Sequence, residues 1–150
     1  AGVALAAACD LRLAATGSRL GIPAARLGIG YPYAGVRRLN DLVGPANVKR
    51  ILFTGERFDA AEMWRIGLID EVLPGEQLDA RVQALTAGIA ANAPLSVAAA
   101  KYAVETACSE AGERDIEGCA ARVKVCIESE DHQEGRRAFM EKRPPKFQGF

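Results

Sequence analysis

The sequence predicts an α/β fold in which short strands and helices alternate up to about residue 75 and only helices follow. Leu11 and Leu13 flank Arg12, and this alternation is the period-2 pattern of a half-buried strand. From residue 76 onward the apolar residues recur at helical spacing instead. Pro74 and Gly75 interrupt both patterns, so we predict two parts, 1–75 and 76–150.

The first part is predicted to open with a buried, Ala-rich helix over residues 1–8. Asp59 can accept hydrogen bonds from the first free amides of a helix, and Glu62 lies three residues later, as in a capping box. The other patterns predict a strand over 9–15, a strand over 19–22 ended by Pro23, a helix from Val36 to Gly44, a helix over 46–53, the capped helix over 60–66 and a strand over 68–73.

The second part is predicted to be helical throughout. Pro94 opens one of its helices, and Pro144 and Pro145 force an extended tail after the last one. The predicted helices cover residues 78–91, 95–108, 114–128 and 131–141.

The composition is that of an ordinary globular domain. Nineteen basic residues balance nineteen acidic ones, and no basic run suits a nucleic acid. The apolar runs near 1–9 and 89–100 are too short or too interrupted to span a bilayer. We therefore predict neither a nucleic-acid partner nor a membrane partner.

The four cysteines do not form any CxxC pair, so the sequence predicts no metal site. Reduced thiols are typical of the cytoplasm, which is the predicted location.

Several short blocks, taken in order, carry a resemblance that none of them carries alone. They are GxALAxxCDLR from Gly2, LGIP from Leu20, LGI from Leu27, GVRRL from Gly35, LVG from Leu42, LFTG from Leu52, DAxE from Asp59, GLIxxV from Gly67, SED from Ser129, EGRRAF from Glu134 and EKRxPxF from Glu141. In this order and spacing the sequence resembles the C-terminal half of the crotonase (enoyl-CoA hydratase/isomerase) superfamily.

The resemblance implies the C-terminal part of a spiral of ββα turns, followed by a helical region that forms trimers, often paired into hexamers. It also implies an acyl-CoA partner, with the CoA thioester as substrate or ligand and no permanently bound cofactor. Since only the family's second half is matched, we expect a further segment before Ala1. Without that segment or another chain, the apolar face of residues 2–8 should be exposed.

The family's shared device is an oxyanion hole, in which two backbone amides hold the thioester oxygen as enolate charge develops. One of these amides maps onto Ala1, with Gly2 beside it, at the start of the first helix. Free amides at a helix N-terminus favour such an anion. Alternatively, Ala1 and Gly2 only allow close helix packing.

The sequence departs from the family where a hydratase carries its two glutamates. The resemblance places these acids at Ala4 and Ala24, and a methyl group can neither accept nor donate a proton. It also places Pro32 at a position that is normally glycine, so an amide that helps to hold water is missing. Ordinary hydration is therefore not expected. Isomerisation between the Δ3 and Δ2 enoyl forms is doubtful too, because it relies on the acid that Ala24 replaces.

Tyr31 and Tyr33 occupy the loop that should face the acyl group. A phenol there could donate a hydrogen bond or act as an acid, or it could only fill the volume that the small alanines leave.

The tail block resembles family residues that close over CoA from a neighbouring subunit. This implies that Phe139 packs on CoA and that Lys142 faces the phosphate of its nucleotide.

Three hypotheses for the function follow from the resemblance and its departures: an acyl-CoA enzyme without the two glutamates, a non-catalytic acyl-CoA-binding or partner subunit, and a purely structural subunit.

Overall fold

The computed structural model describes residues 2–150, so Ala1 lies outside the described residues. The chain divides into two compact units, one up to Val82 and one from Gln83. The first unit contains, in chain order, α1 (Gly2–Ala8), β1 (Leu13–Ala15), β2 (Arg19–Gly21), a 3₁₀ turn (Ala25–Leu27), α2 (Tyr33–Thr54), β3 (Arg57–Asp59), α3 (Ala60–Arg65) and β4 (Glu71–Leu73).

A helix begins at the boundary that the sequence predicts and continues through the division between the units. This helix is α4 (Gly75–Ala90), so residues on both sides of Val82 belong to one element. The second unit continues with α5 (Pro94–Ala107), a 3₁₀ turn (Ala111–Glu113), α6 (Ile116–Glu128) and α7 (Glu130–Glu141).

The helices largely follow the sequence patterns, whereas the strands predicted over 9–15 and 68–73 are shorter than predicted and cover only residues 13–15 and 71–73. The two helices predicted on either side of Gly44 are both present: α2 is broken between them where Gly44 adopts the non-helical φ of 73° and ψ of 163° before Pro45. Asp59 caps α3 as expected, accepting a bond from the amide of Glu62 at 2.9 Å. The Glu62 carboxylate binds Arg50 and Arg65. Strand β3 was not predicted.

The strands form two small sheets, each made of two strands. β1 pairs with β4 in parallel, with Leu13 opposite Glu71 and Ala15 opposite Leu73. β2 pairs with β3 in the antiparallel sense, with Arg19 opposite Asp59 and Gly21 opposite Arg57. The β1–β4 pair thus brings residues 13–15 and residues 71–73, from the two ends of the first unit, side by side.

The core of the first unit lies between these sheets and the helices. Leu39 and Met63 are its largest fully buried side chains. α1 contributes Val3 and Ala7, which are one helical turn apart and both buried. The expected exposure of α1 applies to its other face, where Leu5 is 71% exposed.

Arg12 connects three segments of the first unit. Its buried guanidinium donates to the carbonyl of Cys9 at 2.7 Å, to the carbonyl of Leu68 at 3.0 Å and to the carboxylate of Asp70 at 3.1 Å. The backbone amide of Arg12 also donates to Asp70 at 2.7 Å. The side chain thus ties the end of α1 to the segment that leads into β4.

The helices of the second unit bury few apolar side chains. Tyr102 of α5 donates to Asp115, which also caps α6 by accepting from the amide of Gly118 at 2.7 Å. The hydrogen bond from Tyr102 holds the pKa of Asp115 below its ordinary value. Apolar side chains on these helices and on α7 remain at least half exposed: Val104, Ile116, Val123, Ile127, Phe139 and Met140.

Within residues 2–150 no single helix is long and apolar enough to cross a membrane; α4 and α5 pass that test only together, as a sharply bent pair and by length and composition alone. The same residues contain no group of three or more His, Cys, Asp and Glu side chains that could hold a metal ion.

Replacing Arg12 by Met should destabilise the intact protein by about 2–4 kcal/mol, because it leaves the buried carbonyl of Leu68, the part-buried carbonyl of Cys9 and the Asp70 carboxylate without their donor. Urea unfolding measures this loss. The matched control is Arg38→Met at an exposed position on α2, which should change the unfolding free energy by less than about 0.5 kcal/mol. Equal values for both variants would contradict the role given to Arg12.

Candidate functional site

A cleft of about 460 Å³ lies in the first unit beside the first turn of α1. It brings together three of the candidate residues: Gly2 and Ala4 at the start of α1, and Tyr31, almost thirty positions further along the chain. The other lining residues are Val3, Arg19, Leu20, Gly21, Ile22, Pro23 and Arg57. The outer face of β2 and the start of α1 thus form two of its walls.

The helix start at the cleft is open. A Cβ atom added to Gly2 would meet no other atom within 4 Å, apart from its chain neighbours and its own helix backbone. Ala4 is exposed and lines the same cleft. The first amides of a helix have no acceptor within the helix, so they can donate to a group bound here. Ala1, the residue that the resemblance assigns to the oxyanion hole, lies outside the described residues.

The two tyrosines occupy different environments. Tyr31 is half-buried, packs against the core and lines the cleft. Its ring lies 2.7 Å from the point where a Cβ on Gly35 would stand, so Gly35 leaves room for the ring. Pro32 is extended and precedes α2, so Tyr33 begins that helix. Tyr33 is 77% exposed and does not line this cleft.

Ala24 lies beside the cleft without lining it. It is half-buried against the core, and its carbonyl accepts from the amides of Leu27 at 3.1 Å and Ile29 at 3.0 Å. Its neighbour Pro23 does line the cleft. The structure therefore places Ala4 in the lining of the cleft and Ala24 outside it, next in sequence to the lining residue Pro23.

Arg19 and Arg57 also line the cleft, and sequence reasoning did not identify them. The register between β2 and β3 brings Arg57 opposite Gly21, two residues from Arg19. Arg57, Phe58 and Asp59 alternate between exposed and buried, which is a strand pattern that could have been found. The pairing partner of this short strand could not.

The tail candidates belong to the second unit. Phe139 is 83% exposed and lines an apolar pocket of about 380 Å³ together with Phe147 and Arg136. Lys142 is exposed and ends α7 in the left-handed conformation, with φ 52°. Among residues 2–150 it is the only residue other than glycine with a positive φ.

Two carboxylates of α7 hold the tail that follows Lys142. Glu134 accepts two bonds from the Arg143 guanidinium, at 2.6 and 2.9 Å, and one from the amide of Lys146 at 2.9 Å. The bonds from Arg143 lower the pKa of Glu134 to about 2. Buried Asp131 accepts from the amides of Gln148 at 2.7 Å and Gly149 at 2.8 Å. The turn at Lys142 is thereby fastened on its C-terminal side.

Solved structures of the same architecture exist. An enoyl-CoA hydratase/isomerase family protein from Hyphomonas neptunium matches 99% of this chain with a TM-score of 0.91 and 36% identity, over 56% of its own length. An enoyl-CoA hydratase from Bacillus anthracis matches 99% with a TM-score of 0.92 and 31% identity, over 58% of its length. The predicted α/β, crotonase-like fold class is confirmed.

The family model "Enoyl-CoA hydratase/isomerase" matches residues 1–149, and the chain belongs to this family of the crotonase superfamily. A crotonyl-CoA hydratase from Syntrophomonas wolfei subsp. wolfei is 34% identical over 146 residues, which is 97% of this chain and 56% of that protein. The chain thus spans little more than half the length of this relative.

Replacing Glu134 by Gln should free the tail, because the amide cannot hold the Arg143 guanidinium as an ion pair. We expect the protection of the Lys146 amide against hydrogen exchange to fall several-fold. The control is Glu141→Gln, which removes only the exposed bond to Arg143 Nε. Unchanged protection in Glu134→Gln would contradict the fastening role.

The same bond predicts a pH dependence. Because the pKa of Glu134 is lowered from 4.5 to about 2, its contribution is present above about pH 4.5 and is lost as the pH falls toward 2. Amide protection at Lys146, corrected for intrinsic exchange, should follow this course in the wild type and not in Glu134→Gln. Loss of protection already at pH 5 would contradict the assignment.

Proposed function

We propose that the protein binds an acyl-CoA thioester and stabilises its enolate in an oxyanion hole, without performing ordinary enoyl-CoA hydration. The observation that carries the proposal is the cleft in which the open start of α1 meets Ala4 and Tyr31. Membership of the enoyl-CoA hydratase/isomerase family supports the CoA thioester as the ligand. In this proposal the carbonyl oxygen lies at the amides of Ala1 and Gly2.

A lack of acidic side chains at this site supports the proposal that the protein does not perform ordinary enoyl-CoA hydration. Addition of water to a double bond needs one group to activate the water and one to deliver the proton. In our proposal Ala4 and Ala24 replace the family's two glutamates, and none of the described residues that line the cleft carries a carboxylate. Pro32 cannot supply an amide to hold the water. Among the described lining residues, Tyr31 is the one with a hydroxyl group that could donate a proton.

A second candidate function is non-catalytic binding of acyl-CoA, as a carrier, a sensor or a partner subunit. The same three positions, Ala4, Ala24 and Pro32, favour it, because binding needs the amides and the apolar walls but no acid. Turnover of any acyl-CoA that is abolished by Tyr31→Phe would exclude this candidate. A purely structural subunit would have no affinity for CoA.

We further propose that the protein acts in the cytoplasm as a homo-oligomer, a trimer or a dimer of trimers. The exposed apolar side chains of α5, α6 and α7 support association, because exposed apolar patches are typical of surfaces that bind another protein. In such an assembly Phe139 and Lys142 would close over CoA bound to a neighbouring subunit.

The proposal is tested by calorimetric titration of the intact protein with butyryl-CoA and with free CoA. We expect saturable binding of both, with the thioester bound more tightly because only it reaches the amides of α1. Absence of binding would overturn the proposed function and leave the structural subunit.

Replacing Lys142 by Ala should weaken butyryl-CoA binding about three- to tenfold, because one charge-assisted contact to a phosphate is lost. Binding of butyryl-pantetheine, which lacks the nucleotide phosphates, should not change. Lys49→Ala is the matched control at an exposed position on α2. An equal loss with both ligands would show that Lys142 does not contact a phosphate.

A further inference from the structure

The described residues that line the cleft beside α1 contribute positive charge and no negative charge. Its charged lining residues are Arg19 and Arg57, and a neighbouring cleft of about 450 Å³ that shares Gly21, Pro23 and Arg57 adds Arg26. Arg26 donates to the carbonyl of Thr54 at 3.2 Å, so its guanidinium is partly engaged. No side-chain hydrogen bond or ion pair to another residue of the described chain engages the guanidinium of Arg19 or of Arg57.

Two carboxylates lie close to Arg57 along the chain. Glu56 precedes Arg57 and is exposed, whereas Asp59 is engaged by a helix cap. Asp59 lies directly opposite Arg19 in the sheet, but its carboxylate caps α3 through the amide of Glu62. Glu62 in turn binds Arg50 and Arg65. By contrast, Arg12, Arg81 and Arg143 each form an ion pair with a carboxylate of this chain.

The backbone places the two free arginines on one surface. In the β2–β3 pair, Leu20 and Phe58 face the core, so Arg19, Gly21 and Arg57 share the opposite face. A Cβ on Gly21 would stand 2.4 Å from the carbonyl oxygen of Glu56. Gly21 therefore allows β3 to approach β2 closely, and it adds no side chain between Arg19 and Arg57.

We infer that this cleft selects acyl-CoA thioesters whose acyl group carries a carboxylate, bound by Arg57 and Arg19. A guanidinium offers a planar pair of donors that matches a carboxylate, and an unpaired one in a cleft gains most from such a partner. The inference rests on the proposed function, because it takes the thioester carbonyl to lie at the start of α1.

The position of the arginines assigns the anion to the acyl group rather than to CoA. They line the same cleft as Gly2 and Ala4, where the thioester carbonyl is proposed to bind. On the CoA side the thioester continues as the uncharged pantetheine arm, so an anionic group next to the carbonyl belongs to the acyl chain. The absence of a carboxylate at Ala4 fits this assignment, since a glutamate there would repel the substrate and pair with the arginines.

The test compares acyl-CoAs of equal carbon number by calorimetry on the intact protein: glutaryl-CoA with valeryl-CoA, and malonyl-CoA with propionyl-CoA. The wild type should bind at least one carboxylated member about tenfold more tightly than its neutral counterpart. Arg57→Gln should remove most of that preference and Arg19→Gln part of it, with the affinity for the neutral member changed less than about twofold. Arg38→Gln, on α2 and outside both clefts, should preserve the preference.

Two outcomes would overturn the inference while the proposed function stands: a wild type that binds the neutral acyl-CoAs as tightly as the carboxylated ones, or arginine variants that lose affinity for both members equally. The second result would assign the arginines to the phosphates of CoA. Failure of the wild type to bind any acyl-CoA would instead overturn the proposed function. Equal thermal unfolding temperatures for the three variants would exclude misfolding as the cause of a loss.

Discussion

The buried guanidinium of Arg12 is the contact on which the geometry of the first unit depends. It donates to the Cys9 carbonyl at the end of α1 and to the Leu68 carbonyl in the segment before β4. It thereby fixes α1 to the parallel pair of β1 and β4. A cation at the C-terminal end of a helix also opposes the partial negative charge there. Because α1 is only seven residues long, fixing its end also fixes its start, where the cleft lies.

The sequence predicts the elements better than their partners. Period-2 and helical spacing indicate the order of strands and helices, and Asp59 and Gly44 mark a cap and a break because their chemistry is local. Strand β3 is three residues long, and only its pairing with β2 makes it a strand. Tyr31 and Tyr33 look equivalent in sequence, but the start of α2 separates their environments.

The candidate site shows the same contrast between local features, which the sequence predicts, and contacts between distant segments, which it does not. The family resemblance identifies Gly2, Ala4 and Tyr31, which the structure brings to one cleft. It also identifies Ala24, which packs against the core and does not line that cleft. The two cleft arginines could not be predicted, because their importance comes from a strand register and from a helix cap that engages the neighbouring carboxylate of Asp59. The tail residues remain a prediction, and the fastened turn at Lys142 gives them a defined backbone.

We propose that these features form a thioester site that retains donors for an oxyanion and lacks the acids for ordinary hydration. The most direct measurement of that claim is the absorbance of the enoyl group of crotonyl-CoA, followed for hours after mixing with the intact protein at saturating concentration. The account predicts that the protein binds crotonyl-CoA and that the absorbance does not decline faster than without protein. A decline at the rate of an efficient hydratase would contradict it, because other acids would then have to serve the cleft.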